Sequence, residues 1–372
     1  MQSKSKSGTR YMIQLAIMAS LVGAIGASSA VFAAPTDNEA AFAAPPVSAA
    51  EAQAQESWRA DMARHGAPAE GCYSASYPSI LWKKATCVAA PAKYRSKVPS
   101  RSGSVFGDST NTKSQAAGRA QTVGNGEDYV VQGPGLLSGT VGSFPTVSGV
   151  TSETGTDGSN DYTLQLNTNF NGTTSTCKSY SYCTVWQQFI YESDVSSGYV
   201  FIQYWLFSYG SSTRSGGTCP SGWNDAGADP DGIGEDCYVN SSAISAPAVA
   251  ASQLANVKLS GSVVSGGNDT TVFTNGTTAY TLTTKDSKVN IAAVWNQSEF
   301  NIVGDGGGSA ATFNTGSTIT VKDAVTDGST SAPTCVGPSD AGFTGETNNL
   351  TLTGSCTATG ASSPYIQFTE SN

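Results

Sequence analysis

From residue 128 onward, apolar and polar residues alternate in short runs divided by Gly, Ser, Asn and Asp. The alternation predicts strands at 162–168, 184–191, 199–207, 257–259, 280–283, 289–294, 300–303, 318–321, 350–352 and 365–368. Helical spacing is confined to 50–64, of mixed polarity, and a short amphipathic stretch at 248–255 after Pro247. Many short strands without strand–helix–strand alternation predict an all-β, antiparallel sandwich. The stretch WNQSEFNIVGDGGGSAATFNTGSTITV, 295–321, sets a single carboxylate, Glu299, at the start of a strand. A glycine turn at 304–308 and the strand at 318–321 follow, which predicts a hairpin or tight strand pair.

Period-2 alternation also assigns faces. In CTVWQQFIY, Trp186, Gln188 and Ile190 share one face, and Val185, Gln187, Phe189 and Tyr191 the other. In GYVFIQYWLFSYG, Phe201, Gln203, Trp205 and Phe207 lie together. An amide among aromatics is costly in a plain core unless hydrogen-bonded. It is at home on a concave surface, where rings stack on a ligand and the amide orients it.

The amino-terminal third reads differently. Lys4, Lys6 and Arg10 precede an apolar run at 11–25 and small residues at 27–34, the layout of a signal peptide cleaved near Ala33 or Ala34. The expected product is a secreted protein, extracellular or periplasmic, without a membrane span. Residues 35–120 hold an Ala/Pro-rich stretch, the helix, a Cys72/Cys87 couple and a Ser/Gly-rich basic linker at 93–119. Ten Lys/Arg stand against seven Asp/Glu there, so of 19 basic and 28 acidic residues Gln121 to Asn372 keeps six and 21, a net charge near −15. That balance argues against nucleic-acid binding. A basic leader can lie across an acidic cleft and let go as carboxylates protonate, which makes 35–120 a pro-segment and 121–372 the mature sandwich.

Eight cysteines fall as four sequence-local couples, Cys72/Cys87, Cys177/Cys183, Cys219/Cys237 and Cys335/Cys356, so disulfides are expected without a fixed connectivity. The only histidine, His65, precedes the large domain, so that domain has no Ser-His-Asp or Cys-His machinery and no histidine-bound zinc. Carboxylates and amides must carry any chemistry. In DAGADPDGIGED, Asp229, Asp231 and Glu235 form a weak calcium candidate that lacks EF-hand spacing, and no other cofactor is expected.

The run EFNIVGD followed by GGGSAATFNTGSTITVKD resembles the Glu-Trp-Ile-Val-Glu-Asp segment and the later Phe-Gly-Thr-Val strand of the eqolisins, the scytalidoglutamic type of glutamic peptidase. It is also similar to the glycine-rich segment of neprosin-like glutamic peptidases. The likeness spans about 162–321 and implies a secreted precursor with a concanavalin-like β-sandwich. Glu299 then takes the place of the catalytic glutamate. The glutamine of that dyad lies on a strand reading Leu-Gln-Thr-Gly-Val, and FIQYW offers Gln203, with Gln187 and Gln188 as alternates. Trp205 stands where the pattern has glycine, and EFNIVGD carries one extra residue before Asp305.

The implied chemistry is acid-range hydrolysis of polypeptides. Glu299 activates water, and the Gln203 amide stabilises the oxyanion by about 3 kcal/mol. Trp186 and Trp205 wall the substrate groove, and the pro-segment acts as intramolecular inhibitor. Two other readings suit the same residues. One is a non-catalytic lectin-like sandwich stacking sugars on the aromatics; the other is a glycoside hydrolase taking its second carboxylate from Glu192 or Asp194.

Overall fold

The structure is a computed structural model, and it describes residues 47–91, 128–210, 219–228, 234–338 and 346–372. The signal stretch, the Ala/Pro-rich stretch, the linker at 93–119, and Asp229 and Asp231 lie outside the described residues. The fold is all-β, with two antiparallel sheets packed as a sandwich.

One sheet, the front, runs in the order Asn224–Ala228, Glu235–Asn240, Ser197–Tyr209, Thr184–Asp194, Tyr162–Thr168, Gln297–Val303, Val130–Gln132 and Thr334–Val336. The back sheet runs Lys83–Ala85, Gly71–Ser76, Thr278–Lys285, Asn268–Asn275, Val257–Val263, Gly139–Ser148, Thr318–Thr326, Tyr365–Ser371 and Thr351–Leu352. Facing aromatics fill the space between. Tyr191 stacks on Phe273 at 3.8 Å, Phe144 meets Phe300 at 5.0 Å, and Phe189 packs on Trp295. Gly142 and Gly261 of the back sheet make room for this layer, since a Cβ on either would run into the Phe300 and Phe189 rings respectively.

The expected hairpin at 295–321 does not form. Gln297–Val303 belongs to the front sheet and Thr318–Thr326 to the back, where it pairs with Gly139–Ser148 and Tyr365–Ser371. The fourteen residues between them include Ala310–Phe313, which pairs in a small third sheet with Glu153–Thr154 and Thr347–Asn348. That length spans the roughly 10 Å between layers, and both strands have core-facing apolar residues to bury. The predicted strand at 289–294 is instead the 3₁₀ turn Ile291–Ala293, which closely follows another at Asp286–Lys288. Asn290 between them is left-handed (φ 55°), and Val289 and Ile291 are buried as single anchors. Gly139–Ser148 and Asn268–Asn275 escaped the pattern because Thr, Gly and Asn dilute their alternation.

The predicted helix forms at Ala49–Arg64. Its Arg59 donates to Gly276 O at 3.0 Å, and Ser260 Oγ donates to Ala63 O at 2.6 Å, which seat it on the back sheet. Gly71–Ser76 pairs along its length with Thr278–Lys285, so residues 71–76 are a strand of the sandwich. Disulfides join the four local cysteine couples, each within the span its sequence spacing suggested. No helix among the described residues is long and apolar enough to cross a membrane.

Candidate active site

The antiparallel register places one residue from each of five front-sheet strands in a single row. Glu299 faces Asn167, Asn167 faces Gln188, Gln188 faces Gln203, and Gln203 faces Asn240. Phe300 and Phe189 point into the core, so by alternation this row lies on the outer face of the front sheet. A neighbouring row runs Asn301, Gln165, Ile190 and Phe201, and another Trp186, Trp205 and Tyr238. The faces predicted for Trp186, Gln188, Gln203 and Trp205 are therefore those observed.

The amides form two networks. Asn167 Nδ2 donates to Glu299 Oε2 at 2.6 Å and to Gln165 Oε1 at 3.4 Å. Gln188 Nε2 donates to both Gln165 Oε1 and Asn167 Oδ1 at 3.0 Å, and Gln165 Nε2 donates to Thr163 Oγ1 at 3.1 Å. Gln203 belongs to the other network. Its Nε2 donates to Asn240 Oδ1 at 2.8 Å, and its Oε1 accepts from Trp205 Nε1 at 2.7 Å. Three strand spacings separate Glu299 from Gln203, about 14 Å of backbone. The structure thus does not bring those two together, whereas Gln165 is a diagonal neighbour of Glu299, roughly 7 Å away.

Gln187 is on the wrong face. It points into the core, where its amide lies beside the Asp269 carboxyl of the back sheet. Glu235 opens its strand opposite Tyr209, and partial burial followed by the charge of Asp225 raises its carboxyl.

Glu299 is buried, and its carboxyl is held well above the usual carboxylate range. Burial is the largest cause. The charge of Asp128 and a hydrogen bond shared with it come next, Asn167 pulls the other way, and Asp323 adds repulsion. Two adjoining carboxyls out of water cannot both ionise cheaply, so Glu299 and Asp128 titrate as a pair. Asn301 braces the pair by donating to Asp128 Oδ2 at 3.3 Å and Glu370 Oε1 at 3.0 Å.

Beside the amide rows lies an aromatic cluster. Trp186 and Trp205 are 6.1 Å apart, Trp205 stacks on Tyr238 at 5.1 Å, and Phe207 stacks on both tryptophans. Trp186 Nε1 and Gln188 Oε1 are buried without a hydrogen-bond partner, a donor and an acceptor on this one face.

Sequence reasoning missed Asp128, Gln165 and Asn167. Leu164-Gln165 itself carries the signal for one of them, because it opens the Leu-Gln-Thr-Gly-Val pattern on an alternating strand. Asp128 had no local signal, since only strand pairing brings it to Glu299.

No family model matches the chain, and no curated protein does. Among solved structures, a crystal structure of scytalido-glutamic peptidase with a transition state analog inhibitor is similar to it at 11% identity and a TM-score of 0.26. The match covers 65% of this chain and 96% of that one. Likeness at that level assigns no activity.

Proposed function

We propose that this chain is a secreted, acid-acting endopeptidase in which the Glu299–Asp128 pair, sharing one proton, activates water and Gln165 stabilises the oxyanion. The observation that carries the reading is a buried, proton-hungry carboxyl, Glu299, set in a row of amides beside an aromatic platform on one sheet face. The sequence resemblance at 299–323 points to the same residue.

In the reaction, the pair acts in its singly protonated state with the proton on Asp128, so that the water oxygen bonds to the peptide carbonyl carbon while its proton passes to the Glu299 carboxylate. The carbonyl oxygen, now negative, accepts from Gln165 Nε2. Glu299 then delivers the proton to the leaving nitrogen as the C–N bond breaks. Asn167 is too close to Glu299 to leave room for water between them, whereas the diagonal gap to Gln165 accommodates one. Trp186 and Trp205 flank the scissile region, and Trp186 Nε1 is a donor for a substrate carbonyl. Gln203 holds Trp205 in place. Within the leader, the basic linker at 93–119 is the part proposed as intramolecular inhibitor, on the charge contrast between 35–120 and the rest, because the helix Ala49–Arg64 and the strand Gly71–Ser76 are seated in the back sheet.

Glycoside hydrolysis fits less well. Glu192 shares the face of Glu299, but two strand spacings and four residues separate them, roughly 16 Å, against the 5–9.5 Å that paired carboxyls need.

The test is hydrolysis of a denatured protein substrate between about pH 2 and pH 6, with acid-treated wild type beside Glu299→Gln. Acid-dependent cleavage lost in the variant supports the peptidase. No cleavage by folded, acid-treated wild type would overturn it in favour of a binding module.

A further inference from the structure

Between Gly71–Ser76 and Lys83–Ala85 the chain turns through residues 77–82, and Lys83–Ala85 is the end strand of the back sheet, so this turn stands at an edge of the sandwich. Its apex is Ile80 and Leu81, 67% and 72% exposed, the two most exposed large apolar side chains among the described residues. Scattered single apolar residues on a surface need no explanation, but two adjacent ones at an apex do. The turn is tied down from several sides. The Tyr77 N–H donates to Thr277 O and the Ser79 N–H to Ser76 O, both at 2.9 Å, and the Leu81 N–H donates to Ser79 Oγ at 3.1 Å. Trp58 Nε1 donates to Ser79 O and Trp82 Nε1 to His65 O, both at 2.9 Å. Trp58 and Tyr77 meet edge to face at 5.9 Å, in a small apolar cluster with Met62, Ala75 and Trp82. That cluster has not taken in Ile80 and Leu81, so a fixed backbone presents both to solvent.

Charge supplies the independent observation. No Asp or Glu occurs from Gly71 to Pro91, and Lys83 and Lys84 are both exposed with no ion pair among the described residues. Of the acids near the base of the hairpin, Glu70 is paired with Lys285 at 3.6 Å and Glu51 bonds the Tyr77 hydroxyl. Successive strand residues face opposite ways, so the two ammonium groups flank the hairpin, about 7 and 10 Å of chain behind Leu81. In depth the order is Ile80 and Leu81, then the half-buried Trp82, then two cations on flexible stems. A bilayer surface has the matching order of acyl chain, interface and phosphate.

We propose that the turn at 77–82 is a docking prong that sets Ile80 and Leu81 into the interface of an anionic lipid bilayer while Lys83 and Lys84 bind its headgroup phosphates. The prong rests on the surface without spanning it. A protein partner fits less well, because a stable interface takes roughly 20–30 residues a side and this turn has six. A second copy is disfavoured by the net charge of −9 that both would carry. The acidic remainder of the chain is repelled by an anionic membrane, which orients the molecule prong first. None of this depends on the peptidase reading.

The experiment floats the chain from Pro35 onward, which contains every described residue, with vesicles of phosphatidylglycerol and phosphatidylcholine at about 0.1 M salt. Half of the wild type binds near about 1 mM lipid, weaker than a single myristoyl chain because less apolar surface is buried. Ile80→Ser with Leu81→Ser, and separately Lys83→Gln with Lys84→Gln, each lower binding at least about tenfold. All four residues are exposed, so neither pair of substitutions threatens folding. Val264→Ser, 62% exposed at the other end of Asn268–Asn275, leaves binding unchanged. No flotation of wild type at about 10 mM lipid, well above that affinity range, overturns the proposal. So does equal binding to phosphatidylcholine alone, equal binding by both paired variants, or a wild-type dimer in light scattering that the Ile80 and Leu81 substitutions dissolve.

Discussion

Asp323 gives the sharpest physical test of the sandwich. It lies on Thr318–Thr326 of the back sheet between Gly142 and Ile366, and its side chain is in the core at 1% exposure. Neither carboxyl oxygen has a hydrogen bond of ordinary geometry, and the Ser298 hydroxyl offsets only part of the burial cost. Burial pushes its pKa up to about 7. The folded state therefore holds a proton that the unfolded chain releases near pH 4, the ordinary aspartate range. The stability this group contributes is complete below that value and is lost as pH rises through about 7. At ~1.4 kcal/mol per unit, three units amount to at most about 4 kcal/mol.

Asp323→Asn keeps the shape and removes the titration. Urea unfolding followed by tryptophan fluorescence, at several pH values from about 3.5 to 7.5, gives the two stabilities. Wild type minus variant should fall by a few kcal/mol across that range, so that the variant is the more stable protein at neutral pH. Asp269, Glu153 and Glu346, each held up to about 8 mainly by burial, tilt both curves the same way and cancel in the difference. A difference independent of pH would refute a protonated, buried Asp323.

Two further outcomes follow from the site and the core. Gln165→Ala should lower kcat by about 10²–10³ with KM little changed, whereas Gln203→Ala should act mainly on KM through Trp205; the opposite pattern in steady-state kinetics would return the oxyanion role to Gln203. Gly142→Ala should cost about 1–3 kcal/mol in urea unfolding, because its Cβ has nowhere to go but the Phe300 ring, and an unchanged midpoint would refute that packing.

Much of this protein was legible in one dimension, because the properties concerned are local. Period-2 alternation gave an antiparallel sandwich and put Trp186 and Gln188 on the face opposite Gln187, since backbone pleating alone fixes which side a residue takes. The cysteine couples were close enough in sequence that their spacing suggested the pairs later seen. Glu299 stood out as a lone carboxylate in an apolar strand.

What the tertiary structure decided is which strands become neighbours. Strand order follows from the burial of whole faces and not from any local preference, so 297–303 and 318–326 part into opposite sheets despite a glycine turn between them. The same pairing carries Asn167 and Asp128 to Glu299 and leaves Gln203 three strands away. Burial then does what sequence cannot register, raising the proton affinity of carboxyls that in an extended chain would all titrate alike.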